Sequence, residues 1–130
     1  MFWYRSVLLL LLAMLGLLTG CGDYSPAAPT DAAEAKRSLA EVLDAWQQRR
    51  SSQSLAEQPT PLYVSDHDWS QGKQLLGYEI KGNGRPFGNN VHFDVLLNLR
   101  DSAGKPRQAA AVYVVATDPV ISITRSDAQE

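Results

Sequence analysis

The spacing of apolar residues changes twice along this chain of 130 residues, and each spacing predicts a different kind of element. An unbroken apolar run comes first, a spacing of three and four residues follows, and the second half alternates apolar and polar residues. These patterns indicate, in turn, a leader segment, an amphipathic helix and half-buried strands. The sequence therefore predicts one helix and then a sheet, behind an N-terminal leader.

The amphipathic pattern predicts a helix of about nineteen residues that begins near Thr30 or Asp31. Glu34 stands three residues after Asp31, which is the spacing of a capping box. Apolar side chains then recur on one stripe of the helix, at Ala35, Leu39, Val42, Leu43 and Trp46. Such a stripe packs against another element, and Trp46 is expected to be its largest core side chain.

The segment after the helix is irregular. Residues 54–57 predict a short helical turn, which Pro59 and Pro61 end. Residues 62–64 then form a short extended stretch.

A change to a period of two predicts the sheet, with strands at residues 76–80, 91–99, 107–117 and 120–125. Gly82, Asn83 and Gly84 tolerate positive φ, so a tight reversal is predicted there. A helix stripe and a sheet with one apolar face bury each other. We therefore expect an α+β domain over residues 31–127, in which one long N-terminal helix packs on a curved antiparallel sheet of three to four strands, with a tail at 128–130.

The apolar run at the N-terminus has the layout of a secretory signal peptide. Arg5 precedes an apolar segment from Val7 to Leu18, and small residues follow at Thr19 and Gly20. As a helix, twelve residues span about 18 Å, which is well short of the roughly 30 Å hydrocarbon core of a bilayer. Residues 1–20 are therefore predicted to be a cleaved signal peptide rather than a transmembrane helix.

Leu18, Thr19, Gly20 and Cys21 resemble the lipobox of bacterial lipoproteins, and all four positions fit. The resemblance implies a diacylglyceryl group on the Cys21 thiol, cleavage before Cys21 and an acyl chain such as palmitate on the new amine. It also implies a membrane as partner, at the cell envelope, and Gly22 favours the periplasmic face of the outer membrane over the inner membrane. The alternative is an ordinary signal peptide with an incidental cysteine.

Residues 21–30 hold this cysteine and a segment with two prolines and no apolar period, which predicts a flexible tether. The chain carries a net charge of −2, too mild to indicate a nucleic-acid partner. Basic residues concentrate in the second half, which fits either a basic sheet face or scattered solvated charge. Cys21 is the one cysteine in the chain, so its acylation would exclude a disulfide within the mature protein. The domain would then be stabilised by the packing of its hydrophobic core.

Asp66, His67 and Asp68 form the one cluster of ionisable side chains of ligand type. A histidine between carboxylates fits a general base with an orienting partner, or part of a metal site. Neighbours in an extended segment point to opposite sides, however. Either aspartate also fits the cap of a turn through Trp69, so no metal ligand, cofactor or catalytic residue is assigned outright.

The long helix before a curved sheet, with the segments at 69–80 and 112–120, is similar to short bacterial lipoproteins with a cystatin-like or NTF2-like domain. The resemblance covers residues 38–126 and includes no catalytic motif. It implies a space between helix and sheet, where Tyr63, Tyr78 and Tyr113 would donate hydrogen bonds as tyrosines do in some NTF2-like isomerases. Core tyrosines with the hydroxyl at the rim are the alternative.

Three functions stay open on these observations. The first is a non-catalytic binding or protein-interaction module at the cell envelope, whose partner is an envelope protein or a small ligand. The second is a small NTF2-like hydrolase, isomerase or dehydratase that uses Asp66, His67 and Tyr78. The third is an accessory subunit of an envelope complex, which would show an apolar patch on the open sheet face around Leu96, Val112 and Val114.

Overall fold

The computed structural model of the chain describes residues 28–127. The predicted signal peptide (1–20), Cys21 with the tether up to residue 27, and the tail at 128–130 lie outside the described residues. In the part that is described, no helix has both the length and the apolar character needed to cross a membrane.

Helix α1 spans Ala32–Gln47, α2 spans Ser52–Ala56 and α3 spans His67–Ser70. The predicted cap of α1 is confirmed, because the Asp31 carboxylate accepts the backbone N–H of Glu34 at 3.1 Å. The helix has 16 residues, fewer than expected. It ends early because Arg49 turns the backbone into the left-handed region, at a φ of 64°.

Five strands form one mixed sheet in the order β1-β5-β4-β3-β2. Their bounds are Leu62–Ser65 for β1, Gln74–Phe87 for β2, Asn90–Arg100 for β3, Pro106–Ala116 for β4 and Ile121–Arg125 for β5. The pairs from β2 to β5 are antiparallel, and β1 lies parallel to β5. The α+β class is thus confirmed, whereas the expected antiparallel sheet of three to four strands is wrong.

The missed strand is the short extended stretch after α2. In β1, Leu62 pairs with Ile121 and Val64 with Ile123, so its partner comes from the far end of the chain. Leu62 and Ile123 are fully buried. Four residues are too few to show the alternation of apolar and polar positions that predicts a strand. Their burial also depends on pairing with β5, which is distant in sequence.

The predicted reversal at residues 82–84 is also wrong. Strand β2 continues to Phe87, and the hairpin turns at Gly88 and Asn89. Gly82 and Gly84 do adopt positive φ, of 71° and 91°, but they lie where the register with β3 shifts. Positive φ therefore serves a bulge inside the strand and not a turn at its end.

Helix α1 packs on one face of the sheet, and its predicted stripe is confirmed. All five stripe residues are buried in one core with side chains of β1 to β5, namely Leu62, Leu75, Val91, Phe93, Val95, Leu97, Leu99, Ala111, Tyr113, Val115 and Ile123. Leu55 of α2 and Trp69 of α3 join the same core. On the other face, Leu96, Val112 and Val114 are only partly buried and stand outside this core.

The two ends of the sheet differ in what lies against them. Residues 28–30 contact one end: the Thr30 N–H donates to Asn89 O at 2.9 Å, and the Ala28 N–H to Asp118 Oδ2 at 2.7 Å. We name this the tether end, formed by the turns at residues 87–90 and 117–120. The polar end is opposite and consists of residues 65–73, 99–107 and 125–127.

Candidate functional site

The predicted cluster of Asp66, His67 and Asp68 lies at the polar end, where β1 passes into α3. Asp66 caps this short helix, because its Oδ1 accepts the backbone N–H of Asp68 at 2.9 Å and that of Trp69 at 3.2 Å. The interpretation of Asp66 as a cap is therefore confirmed. The turn of the backbone also brings the Asp68 carboxylate close to that of Asp66, where one guanidinium contacts both.

That guanidinium belongs to Arg125, the last residue of β5. Its side chain is 4% exposed; Nη1 lies 3.4 Å from Asp66 Oδ1 and also contacts Asp68 Oδ2, while Nε donates to Asp127 Oδ1 at 2.7 Å. A buried charge is costly unless it is paired and hydrogen-bonded. The three carboxylates supply those partners, and they raise the pKa of Arg125 although burial acts to lower it.

A tyrosine from the centre of the sheet completes the Asp66 environment. Tyr113 of β4 is fully buried and donates its phenolic hydrogen to Asp66 Oδ2. Burial and the neighbouring Asp66 carboxylate raise the pKa of Tyr113 far above its ordinary range. The phenol therefore stays neutral and acts as a fixed donor.

Asp68 is held by two cations. Its Oδ1 accepts from Lys73 Nζ at 2.7 Å, and its Oδ2 contacts Arg125. Burial alone would raise the pKa of Asp68, but the hydrogen bonds from Lys73 and Arg125 outweigh it and lower that pKa. The carboxylate is accordingly ionised at neutral pH.

His67 is less tightly held than its neighbours. Its side chain is 39% exposed, and Nε2 lies 3.7 Å from Asp68 Oδ2. This distance is compatible with an ion pair when the imidazole is protonated, but it is too long for a hydrogen bond.

Tyr78 has its contacts on α1, away from the partners of Asp66. Its hydroxyl donates to Asp44 Oδ1 at 2.6 Å. Burial and the Asp44 carboxylate raise the pKa of Tyr78 to about 12. The structure thus joins Asp66 to Tyr113 and Tyr78 to Asp44, and it places Tyr63 in an exposed position at the tether end.

A cavity of about 220 Å³ opens beside the charged cluster at the polar end. Six ionisable residues line it: His67, Lys73, Arg107 and Arg125, with the acids Asp68 and Asp101. Both acids are engaged by internal donors, because Asp101 Oδ1 accepts the backbone N–H groups of Ala103 at 3.0 Å and Lys105 at 2.8 Å.

The guanidinium of Arg107, in contrast, makes no hydrogen bond or ion pair with any of residues 28–127. Sequence reasoning missed Arg107 and Arg125, since each reads locally as an ordinary strand-terminal arginine.

Metal binding has no support from the side chains of residues 28–127. Nowhere in this range do three histidine, cysteine, aspartate or glutamate side chains converge as ligands for a metal ion. Asp66 and Asp68 face Arg125 and Lys73 instead of a common cation site.

The chemistry of the polar end is defined by these contacts alone. Comparison of the chain with protein-family models, with curated proteins and with solved structures finds no match.

Proposed function

We propose that this chain is a lipoprotein of the cell envelope, held by lipid on Cys21, whose domain binds an anionic group at the polar end without catalysing a reaction. The observation that carries the proposal is the unequal hydrogen-bonding capacity of the cavity wall. Asp68 on that wall accepts hydrogen bonds through both carboxylate oxygens and Asp101 accepts two through Oδ1, whereas the Arg107 guanidinium bonds to none of residues 28–127.

Arg107 and Lys73 provide that spare capacity. A guanidinium has five N–H donors and an ammonium has three. The Arg107 guanidinium bonds to none of residues 28–127, and the Lys73 ammonium gives one hydrogen bond, to Asp68. Carboxylate and phosphate oxygens are the acceptors that such donors bind most strongly. A cavity of about 220 Å³ suits a small anionic ligand, or one acidic side chain of a partner protein.

Binding fits the hydrogen bonds of these side chains better than the alternative of a small hydrolase, isomerase or dehydratase that uses Asp66, His67 and Tyr78. A general base needs a lone pair that is within reach of a substrate. Asp66 is buried and accepts from Tyr113 and two backbone N–H groups. Tyr78 is bonded to Asp44.

The position of the tether supports the same function. Residues 28–30 contact the tether end of the sheet, opposite the cavity. A lipid on Cys21 would hold that end near the bilayer, so that the polar end faces away from it. We favour the periplasmic face of the outer membrane, on the lipobox resemblance and Gly22.

The anchor is tested with Cys21→Ser in the full chain expressed in a bacterial host. We expect the variant to lose metabolic labelling with a palmitate analogue and to leave the membrane fraction, while the wild-type chain keeps both. Ser25→Ala, in the same segment, is the matched control and is expected to behave as wild type. Retention of Cys21→Ser in membranes would overturn the anchor.

Anion binding is tested by titrating the full chain with succinate and, separately, with inorganic phosphate, while backbone amide NMR shifts are followed. We expect saturable shifts at His67, Lys73 and Arg107 with at least one anion. Arg107→Gln should abolish them, whereas Arg100→Gln, which removes the same charge from an exposed position on β3, should not. Shifts that do not saturate, or that survive Arg107→Gln, would overturn the binding proposal.

A further inference from the structure

The exposed apolar side chains of the domain are concentrated at the tether end. Within residues 28–127, the large hydrophobic side chains that stand exposed are Phe87 at 69%, Val120 at 49% and Tyr63 at 46%. Phe87 ends β2, Val120 precedes β5, and Tyr63 is the second residue of β1. Since β2 ends where β1 and β5 begin, all three lie at one end of the sheet.

This is also the end at which the chain continues toward Cys21. Thr30 bridges the two turns, because its N–H donates to Asn89 O and its Oγ1 accepts the Thr117 N–H at 3.2 Å. Asn89 follows Phe87 in one turn, and Thr117 precedes Val120 in the other. The chain thus enters the domain between the two most exposed apolar side chains.

The remaining chain is short. Cys21 precedes Ala28 by seven positions, which span at most about 25 Å when fully extended. The headgroup region adds only about 5 to 8 Å on each side of the hydrocarbon core. A lipid on Cys21 therefore keeps Phe87 and Val120 within reach of the headgroups.

We propose that the tether end is a membrane-docking surface, in which Phe87 and Val120 enter the boundary between headgroups and acyl chains and Tyr63 lies at the rim. The inference rests on the proposed lipid anchor at Cys21. The ring of His92 packs against that of Phe87 at a centroid distance of 4.8 Å. Aromatic side chains at a membrane surface gain by leaving water.

Two charged side chains near this end, Arg85 and Asp118, have partners within the domain. Arg85, on the strand that ends at Phe87, is 60% exposed and pairs with Asp94. Asp118, in the turn that carries Val120, accepts the Ala28 N–H. Two exposed apolar residues, at turns beside the route to an acyl anchor, fit insertion into a bilayer better than the closely packed core of a protein interface.

The test places a fluorescent probe at single positions of the full acylated chain in vesicles of phosphatidylethanolamine and phosphatidylglycerol. Phe87→Cys and Val120→Cys each receive an environment-sensitive label, and Ser102→Cys is the matched control because it is exposed in the turn after β3 at the polar end. We expect blue-shifted emission and quenching by spin-labelled lipids at positions 87 and 120. Neither change is expected at position 102.

The outcomes separate the docking surface from the anchor. Chains that float with the vesicles but give equal emission at all three positions would overturn the docking surface and leave the anchor intact. A blue shift without lipid quenching would mean that a second copy or another protein covers the surface, which also overturns it. Reaction of the fluorescent probe with Cys21 would show that its thiol carries no lipid. Together with chains that do not float with the vesicles, this result would overturn both the anchor and the docking surface.

Discussion

Tyr113 and Asp66 join the centre of β4 to the cap of α3 through a buried hydrogen bond, in which the phenol donates to Asp66 Oδ2. Tyr113 is 0% exposed and Asp66 is 7% exposed. Because Asp66 Oδ1 accepts the first backbone N–H groups of α3, one carboxylate both starts the helix and ties it to the sheet. This one side chain therefore couples the polar end to the core of the sheet.

Tyr113→Phe removes this hydrogen bond and leaves a buried carboxylate oxygen without its donor. We expect a loss of about 1 to 3 kcal/mol in the free energy of unfolding, measured by urea denaturation. Tyr63→Phe is the matched control, because Tyr63 is exposed, and it should change the value by less than about 0.5 kcal/mol. Equal effects of the two substitutions would contradict the coupling of Tyr113 to Asp66.

Asp68 gives the domain a defined dependence on pH. Its folded-state pKa is lowered, as the bonds to Lys73 and Arg125 outweigh burial, while the unfolded value is about 4. The ion pairs therefore stabilise the fold above about pH 4, and that stabilisation is lost as the pH falls through the folded-state pKa. We expect the free energy of unfolding of the wild type to decline below about pH 4.

Asp68→Asn should flatten this decline, since the substituted side chain no longer titrates. At neutral pH the variant should lose about 3 to 5 kcal/mol, because Arg125 keeps a buried charge with one partner fewer. Asp94→Asn breaks the exposed pair with Arg85 and should cost at most about 1 kcal/mol. A pH profile of Asp68→Asn that parallels the wild type would contradict the assignment.

Local pattern was sufficient where the interaction itself is local. The Asp31 and Asp66 caps each involve residues within one helical turn, and neighbours on the α1 stripe are three or four residues apart. Arg125 lies 57 positions from Asp68 in sequence, and β1 pairs with the last strand. Nothing in the neighbourhood of either partner indicates these contacts, because they depend on the path of the whole chain.

Tyr78 shows the same limit at the predicted site. A tyrosine at position 78 is expected to donate a hydrogen bond between the helix and the sheet, and Tyr78 of β2 does donate to α1. The acceptor is Asp44 and not Asp66, since the acceptor within reach depends on where α1 crosses β2. The sequence identifies Tyr78 as a hydrogen-bond donor, but the packing of α1 on β2 determines which acceptor it reaches.

Gly84 is expected to tolerate substitution far less than Gly104, although both adopt positive φ. A Cβ atom on Gly84 would lie 2.5 Å from Val91 Cγ1 and 2.8 Å from Phe93 Cε1, whereas one on Gly104 meets nothing within 4 Å. Gly104→Ala should cost about 1 to 2 kcal/mol from backbone strain alone. Gly84→Ala adds overpacking of about 1 to 3 kcal/mol, so equal urea midpoints for the two variants would contradict the bulge geometry.

Trp46 is the side chain whose loss should cost the core most. It is 2% exposed, stacks on Trp69 at a centroid distance of 5.3 Å with 5° between the ring planes, and donates from Nε1 to Lys73 O at 2.8 Å. Trp46→Ala should lower the free energy of unfolding by about 3 to 5 kcal/mol, measured by circular dichroism in urea because the substitution also changes the fluorescence of the stacked Trp69.

Trp46→Phe separates packing from hydrogen bonding at this position. The ring still fills the core and faces Trp69, but Lys73 O loses its donor, so we expect a smaller cost of about 1 to 2 kcal/mol. Lys73 is the residue whose ammonium holds Asp68, and a shift of its backbone should therefore move the amide NMR signals of the cavity wall. A loss below about 1 kcal/mol in Trp46→Ala would contradict the buried stripe of α1.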